Sequence, residues 1–515
     1  MALSNLQGSA GHDTARTGIS KPGVPYLTQF MTLRGGLNNS IHDELIEPDE
    51  IADGRNYMPD HLNSGVIIKR YGIAKQLANS QTAAVSSIYQ GLIGNFFTVG
   101  TGIKQFTVNT DFTAAALTAT TAPDWTSMGG MDIVVNGTDA PGKVTAGPAF
   151  AVLGGAPPTF KYVETVNNFV WGAGHSTGVL RYSSVGTTET WPAANSLTVT
   201  NNSNDDIKGL VKAFDALIVM CAKSFYHVKA WEDGKATITY SNFSEGCASH
   251  RSLVNTPFGL FWWSNVGIAW RRDGYSVDYP TMRKIPNTIE NLNAGQASKV
   301  HGVYHPRLRC VIFYVCSIGS STEDIGIWYF PADEVTQRKE SVWVMTGLGT
   351  QASASGMALV SGKWESYIGL IDTRTAPTIY YLEKMEGETD DSTVISAYIK
   401  SKRDLTEFGL RARKRASHLE PLLMSAGVGQ LSYGFIVDNE TQIEQSWNFA
   451  VDSPGGFVLG VSVLGTGTLG YGYYPLEVVF NPSRIFRKLQ HVLNDDLPYR
   501  TRVRGFVNSG TLVSV

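Results

Sequence analysis

The chain has 515 residues, 17% of them charged, and a formal net charge of −3. That length allows two to four ordinary domains, or one large body with a smaller companion. With no global basic footprint and no acidic tail, the composition disfavours a conventional nucleic-acid binder and a charged, solvated tail protein.

The 53 glycines exceed the usual share of about 7%. Together with the low charge they point to a β-rich, turn-rich body with a polar but largely uncharged surface. Four cysteines do not make a disulfide framework in a chain of this length. Cys310 and Cys316, in CVIFYVC, would share one face of an extended strand, too far apart to bridge. Buried free thiols of a reducing cytoplasm are the expectation.

Residues 1–25 are small, polar and turn-rich and read as a flexible arm. They lack the apolar stretch of a secretory signal, and no window approaches the roughly 18 apolar residues of a membrane span. From Tyr26, YLTQFMTLRGG reads as a strand closed by Gly35 and Gly36. In EPDEIADGRNYM, Pro48 followed by Asp49 and Glu50 reads as the start of a short helix stopped by Gly54. The turn at Asn63 to Gly65 then leads into VIIKRYG, a strand.

Beyond it, short runs of β-branched and aromatic residues alternate with Gly, Asn, Asp and Ser. SIYQGLIGNFFTVG, KYVETVNNFVWGAG, ALIVMCAKSFYHVKAW, GLFWWSNVGIAW and CVIFYVC are examples. They fall into groups of roughly 40–50 residues, the period of a four-stranded propeller blade. The fold expected is all-β: a propeller-like body of roughly five to seven blades over residues 26–391. Asn136-Gly137 and Asp273-Gly274 are the expected tight hairpin turns. Near Ser392 the texture shifts, and 392–515 read as an additional C-terminal β-rich domain. It contains thirteen Lys and Arg against ten Asp and Glu. Its Gly-rich run, GGFVLGVSVLGTGTLGYGYYPLEVVF, reads as a long hairpin or an interface strand.

Motifs for nucleophilic, zinc, phosphate-loop and calcium chemistry are missing. His42 and His61, among Asp43, Asp49 and Asp60, form a thin candidate for a metal site. A solvated surface is the plainer reading, so neither a metal nor a cofactor is expected. No carboxylate pair stands out for glycoside hydrolysis, and the chain is read as non-enzymatic. Trp262 and Trp263 point to opposite faces of a strand, so one needs a cover: a neighbouring blade, another subunit or a sugar. RARKR places Arg411, Arg413 and Arg415 on one face, and RTRVR does the same with Arg500, Arg502 and Arg504. Either trio is a solvated or carboxylate-paired edge, or a contact for DNA phosphates or an acidic neighbour.

Three segments carry a resemblance. GGLN…IEPDEIADGRNYMPDHLNSGVIIKRYG, Ala156 to Pro192 and Gly246 to Val277 occur in the order of similar segments in the tail nozzle family. This family, also called tail tubular protein B or tail stabilisation protein, belongs to short-tailed bacteriophages. The resemblance covers most of residues 30–440 in pieces. It implies a virion structural protein assembled in the host cytoplasm into a homohexamer ring below the tail adaptor and portal. Such a ring conducts and gates DNA ejection and anchors tail fibres or spikes. Contact with double-stranded DNA would be transient and without sequence preference, with Arg411, Arg413, Arg415, Arg500, Arg502 and Arg504 as the candidate lumen residues. The opening segment would bolt the N-terminus onto the propeller. The alternative is a receptor- or glycan-binding propeller displaying Trp262 or Trp263.

Overall fold

A computed structural model describes residues 25–514, except 32, 44, 62–64, 77–79, 107–116, 118–120, 148, 201, 203, 231–234, 243–244, 272–275, 347–349, 374–377, 404–412, 426–428, 439, 452–473, 477–484, 487 and 499. Strands dominate it, and among the described residues the α-helices are two five-residue turns, Pro280–Lys284 and Pro286–Glu290. None is long and apolar enough to cross a membrane.

Among the described residues, seven antiparallel sheets follow one another in a ring. Their first strands are Val85–Gln90, Asp124–Met128, Tyr162–Val166, Ile207–Ala213, Val254–Thr256, His301–His305 and Thr350–Val360. Successive first strands pack side by side, and the last returns to the first. The protein is therefore a seven-bladed β-propeller with a further β-domain. Each first strand lines the axis, and each blade runs outward from it.

The hairpins joining first and second strands use a recurring device. Gly129-Gly130, Asn167-Asn168, Phe214-Asp215 and Ser361-Gly362 are two-residue turns with both residues at positive φ. Left-handed pairs match the right-handed twist of the flanking strands. The expected Asn136-Gly137 turn differs: a longer connection separates Met131–Val135 from Gly142–Thr145. Asn136 Oδ1 accepts the N–H groups of Thr138 and Asp139 there at 3.0 and 2.8 Å. Asp273-Gly274 lies outside the described residues.

The seventh blade is completed from the other end of the chain. Ile73–Lys75 pairs with Ile379–Met385 as its outer strand. This joins strands some 300 residues apart and closes the ring without a free seam.

Residues 25–69 are built into two sheets with the C-terminal residues. In one, the strand order is Gly36–Leu37, Glu50–Arg55, Ala397–Ser401, Leu489–Asp495, Gly429–Val437 and Gln445–Val451. In the other, Thr501–Ser514 pairs with Arg413–Ser425 on one side and with Pro25–Met31 and Ile67–Lys69 on the other. The sheets face each other across a ring stack, with Phe506 against His491 and Tyr433 at centroid distances of 5.0 and 6.4 Å.

The expected helix after Pro48 is thus a strand. Glu50 serves as a buried acceptor for Asn38 Nδ2 at 2.7 Å and pairs with Lys284. Pairing on both sides outweighs a weak helical preference of six residues. The Gly-rich run lies mostly outside the described residues, apart from the strand Tyr474–Leu476.

One apolar core runs through both parts. Leu33, Leu37, Ile51, Tyr57, Ile68 and Ile73 share it with Phe313 and Trp343 of the sixth blade and Leu419, Leu493 and Phe506 of the C-terminal sheets. Buried polar bonds reinforce the seam. Lys69 Nζ donates to Asp495 Oδ1 and to the Leu497 carbonyl at 3.1 and 2.6 Å, and Tyr57 Oη donates to Asp495 Oδ2 at 3.0 Å. Burial pulls the Lys69 ammonium pKa down and raises that of Tyr57. Arg70 grips Asp390 with both terminal nitrogens, at 2.8 and 2.5 Å. All four cysteines are free and buried.

Candidate functional site

A group of polar side chains converges on the propeller axis. At its centre a cavity of about 250 Å³ is lined by Tyr89, Trp125, Glu164, His250 and His301, among others. Asp124 stands at the start of the second blade and His250 at the approach to the fifth. The imidazole Nε2 lies 2.9 Å from Asp124 Oδ1, so the pair spans the axis. Asp124 also accepts N–H groups from Trp125 and Val163, at 2.9 and 2.7 Å. Burial works against charge on His250, but Asp124 outweighs it and raises the ring's pKa.

Glu164 accepts the backbone N–H groups of Thr165 and Lys212 at 2.8 and 3.1 Å, tying the third blade to the fourth. Burial, with nearby Asp124 adding to it, raises its carboxyl to about 7. Arg251 donates to the carbonyls of Ser353 and Lys299, both at 2.8 Å, which ties the fifth blade to the sixth and seventh. His301 bonds Ser355 Oγ at 2.7 Å, sixth blade to seventh. Trp125 donates Nε1–H to Ser87 Oγ at 3.1 Å and stacks on Tyr89, first blade to second.

These groups act as struts. Two neighbouring carboxyls, one of them raised, can form an acid–base pair. Here, however, Asp124 and Glu164 both accept hydrogen bonds from neighbouring blades. Among the described residues no group of three or more His, Cys, Asp or Glu side chains is placed to hold a metal ion, and this includes the His42 and His61 candidate.

The residues singled out in the sequence lie elsewhere. Trp262 and Trp263 are 0% and 5% exposed. Trp262 packs on Phe225 of the fourth blade and donates to the Gly246 carbonyl at 3.0 Å. Trp263 packs on Phe313 of the sixth blade. Of the three covers considered, both tryptophans use neighbouring blades, and neither presents a ring to a ligand.

Arg411 lies outside the described residues, and Arg413 begins a strand on which Arg415 is exposed. Arg500 precedes the strand Thr501–Ser514, so only Arg502 and Arg504 share its face. Arg502 Nε lies 2.7 Å from Asp60 Oδ2. Arg500 lies over the Tyr71 ring at 4.3 Å, with Glu388 at 3.7 Å. Two of this trio therefore follow the carboxylate-paired reading, while Arg504 is exposed.

Arg415 lies opposite Thr511, seven positions from Arg504, which is roughly 23 Å along the ribbon at ~3.3 Å per residue. Arg415 and Arg504 therefore stand well apart along one pair of neighbouring strands within one sheet. The axial residues Asp124, Glu164 and His250 carried no motif, because each comes from a different blade.

No family profile and no curated protein matches the chain. Solved structures with a similar course include the Pan2 WD40 domain of Neurospora crassa, at a TM-score of 0.40 and 10% identity, covering 62% of this chain and 95% of that one. BBS1N in complex with ARL6DN gives a TM-score of 0.40 and 8% identity, covering 62% of this chain and 99% of that one. BamB from Moraxella catarrhalis gives 0.35 and 8%, covering 65% and 99%.

Proposed function

We propose that this propeller protein is a virion structural subunit, the tail nozzle of a short-tailed bacteriophage, and that it is not an enzyme. One observation carries the reading: each segment that resembles the nozzle family coincides with a structural unit. Gly35 to Gly72 is the stretch that stitches the propeller to the C-terminal sheets. Ala156 to Pro192 contains the first three strands of the third blade, and Gly246 to Val277 contains the fifth blade with its approach.

The Asp124–His250 pair crosses the axis of the single propeller, so DNA passes between copies, through the lumen of a homohexamer. The exposed Arg415 or Arg504 supplies weak phosphate contact there. Portal and adaptor contact one face of the ring, and fibres or spikes attach at its outside. The glycan-binding alternative has lost its aromatic platform, since Trp262 and Trp263 are buried.

Electron microscopy with mass determination tests the reading, on the purified chain alone and mixed with portal–adaptor complex. A six-fold ring that docks on the adaptor is the expected result. A monomer that never docks overturns it. A ring with Arg413 and Arg415, and also Arg504, all far from the lumen overturns the DNA-contact assignment alone.

A further inference from the structure

We propose that the mouth of the propeller axis, at the end where the first strands of the blades begin, binds a small polyanion carrying two or more phosphate groups. This rests on the side chains at that mouth and is independent of the tail reading.

The mouth is a cleft of about 640 Å³ to which all seven blades contribute. Its volume falls within the roughly 300–1,000 Å³ of small-molecule sites. Four cationic side chains line it, Lys161, Lys208, Arg251 and Lys299, against one carboxylate, Glu323. Glu323 Oε1 lies 3.5 Å from Arg251, so those two charges offset each other. Below the mouth, Asp124 is engaged by His250. Three lysines remain in excess.

Lys299 donates to the Ser321 carbonyl at 2.6 Å. Among the described residues neither the Lys161 nor the Lys208 ammonium has a hydrogen-bonding or ionic partner. Lys161 is nonetheless held in place. A Cβ on Gly137 would stand 2.4 Å from its Cγ, and one on Gly174 would stand 2.6 Å from its Cβ. Its stem therefore lies tight against two stretches of backbone. Unpaired cations converging in a cleft with low-dielectric walls concentrate anions. Ammonium groups bind phosphate oxygens as point charges, and several are needed to favour an oligophosphate over a single anion. Tyr162 and Ser249 add hydroxyls at the same mouth.

The test is calorimetric titration of the full chain at low salt with inorganic tripolyphosphate, with orthophosphate and citrate as comparison ligands. One-site saturable binding of tripolyphosphate is expected, with orthophosphate and citrate at least tenfold weaker. Lys161→Gln and Lys208→Gln should each weaken it by about tenfold, the scale of one charge-assisted hydrogen bond. Lys363→Gln, exposed at the far end of the seventh blade's first hairpin, should leave it unchanged. Lys161→Arg with Lys208→Arg keeps the charge and should retain binding, which separates lost recognition from lost folding. Absent saturation at millimolar ligand overturns the assignment. So does citrate binding as tight as tripolyphosphate, or equal weakening by Lys363→Gln.

Discussion

Asp390→Asn is the sharpest perturbation of the seam between propeller and C-terminal sheets. Arg70 and Asp390 are 1% and 5% exposed and meet in a two-pronged ion pair at 2.8 and 2.5 Å. Arg70 Nε also donates to Asn56 Oδ1 at 3.1 Å, and Nη1 to the Tyr71 carbonyl at 2.9 Å. Asparagine keeps the shape and one acceptor but leaves the guanidinium buried without a counter-charge. Breaking one side of such a pair costs about 3–5 kcal/mol. Replacing both partners, Arg70→Met with Asp390→Leu, removes the stranded charge and should cost less than Asp390→Asn alone, although Asn56 and Tyr71 then lose a donor. Urea unfolding followed by tryptophan fluorescence measures this as a lowered midpoint at unchanged slope. Asp390 lies between the last strand of the seventh blade and the first C-terminal strand, Ala397–Ser401, so a glutamyl endopeptidase should also cut faster after Glu386 or Glu388. A cost below about 1 kcal/mol, the range of an exposed pair, would refute the assignment of this contact as the buried clamp of the seam.

Gly72→Ala should destabilise by about 2 kcal/mol or more, because a Cβ there would stand 2.0 Å from the Thr389 carbonyl oxygen; a thermal midpoint equal to the parent's would exclude this tight crossing. Trp262→Ala should cost about 3–5 kcal/mol in the same urea assay, as for a large ring removed from a core. Burial lowers His227 to about 4 and His305 to about 3, and His305 Nδ1 accepts the Leu308 N–H at 3.3 Å. With folded values below the unfolded value of ~6.5, their stability is complete above that pH. It falls as pH drops toward 4, by up to about 1.4 kcal/mol per unit for each ring. A pH series of urea midpoints should show the fall, and His305→Phe should flatten it. Glu164, raised to about 7, has the opposite sign: its contribution is lost as pH rises from ~4.3 through 7. Glu164→Gln should therefore raise the midpoint at pH 8 relative to the parent and not at pH 4.

The all-β class and the blades were legible because short β-branched and aromatic runs are punctuated by Gly, Asn, Asp and Ser. The partner of a strand is not written there. Pro25–Met31 lies against Gly505 to Thr511, and nothing in PYLTQFM names that partner. The closing strand Ile73–Lys75 is three residues long, too short for any pattern. Pro48, Asp49 and Glu50 mimic a helix start, yet Glu50 is needed as an internal acceptor for Asn38. The tight turns were present as Gly129-Gly130 and Asn167-Asn168, but the Asn-Gly rule drew attention to Asn136, where the chain makes a wider loop. A blade is covered on both faces by its neighbours, so Trp262 and Trp263 are buried on opposite sides. Asp124, Glu164 and His250 come from three blades, and ring closure alone brings Asp124 to His250.

That closure constrains any role as a conduit. A propeller with carboxylate–imidazole and guanidinium–carbonyl struts across its axis is a rigid block, and opening it would break contacts between several blades together. The propeller also shares its core with the C-terminal sheets, since Leu37, Phe313, Leu419 and Phe506 belong to one apolar cluster. Widening a single propeller is therefore costly. The positive charge follows the same logic. Arg415 and Arg504 sit roughly 23 Å apart along one ribbon, more than two Debye lengths at physiological salt. They cannot act on one phosphate cluster. If the ribbon runs along a lumen, the two arginines touch DNA at separate levels, each weakly, which suits passage better than a single tight collar of charge.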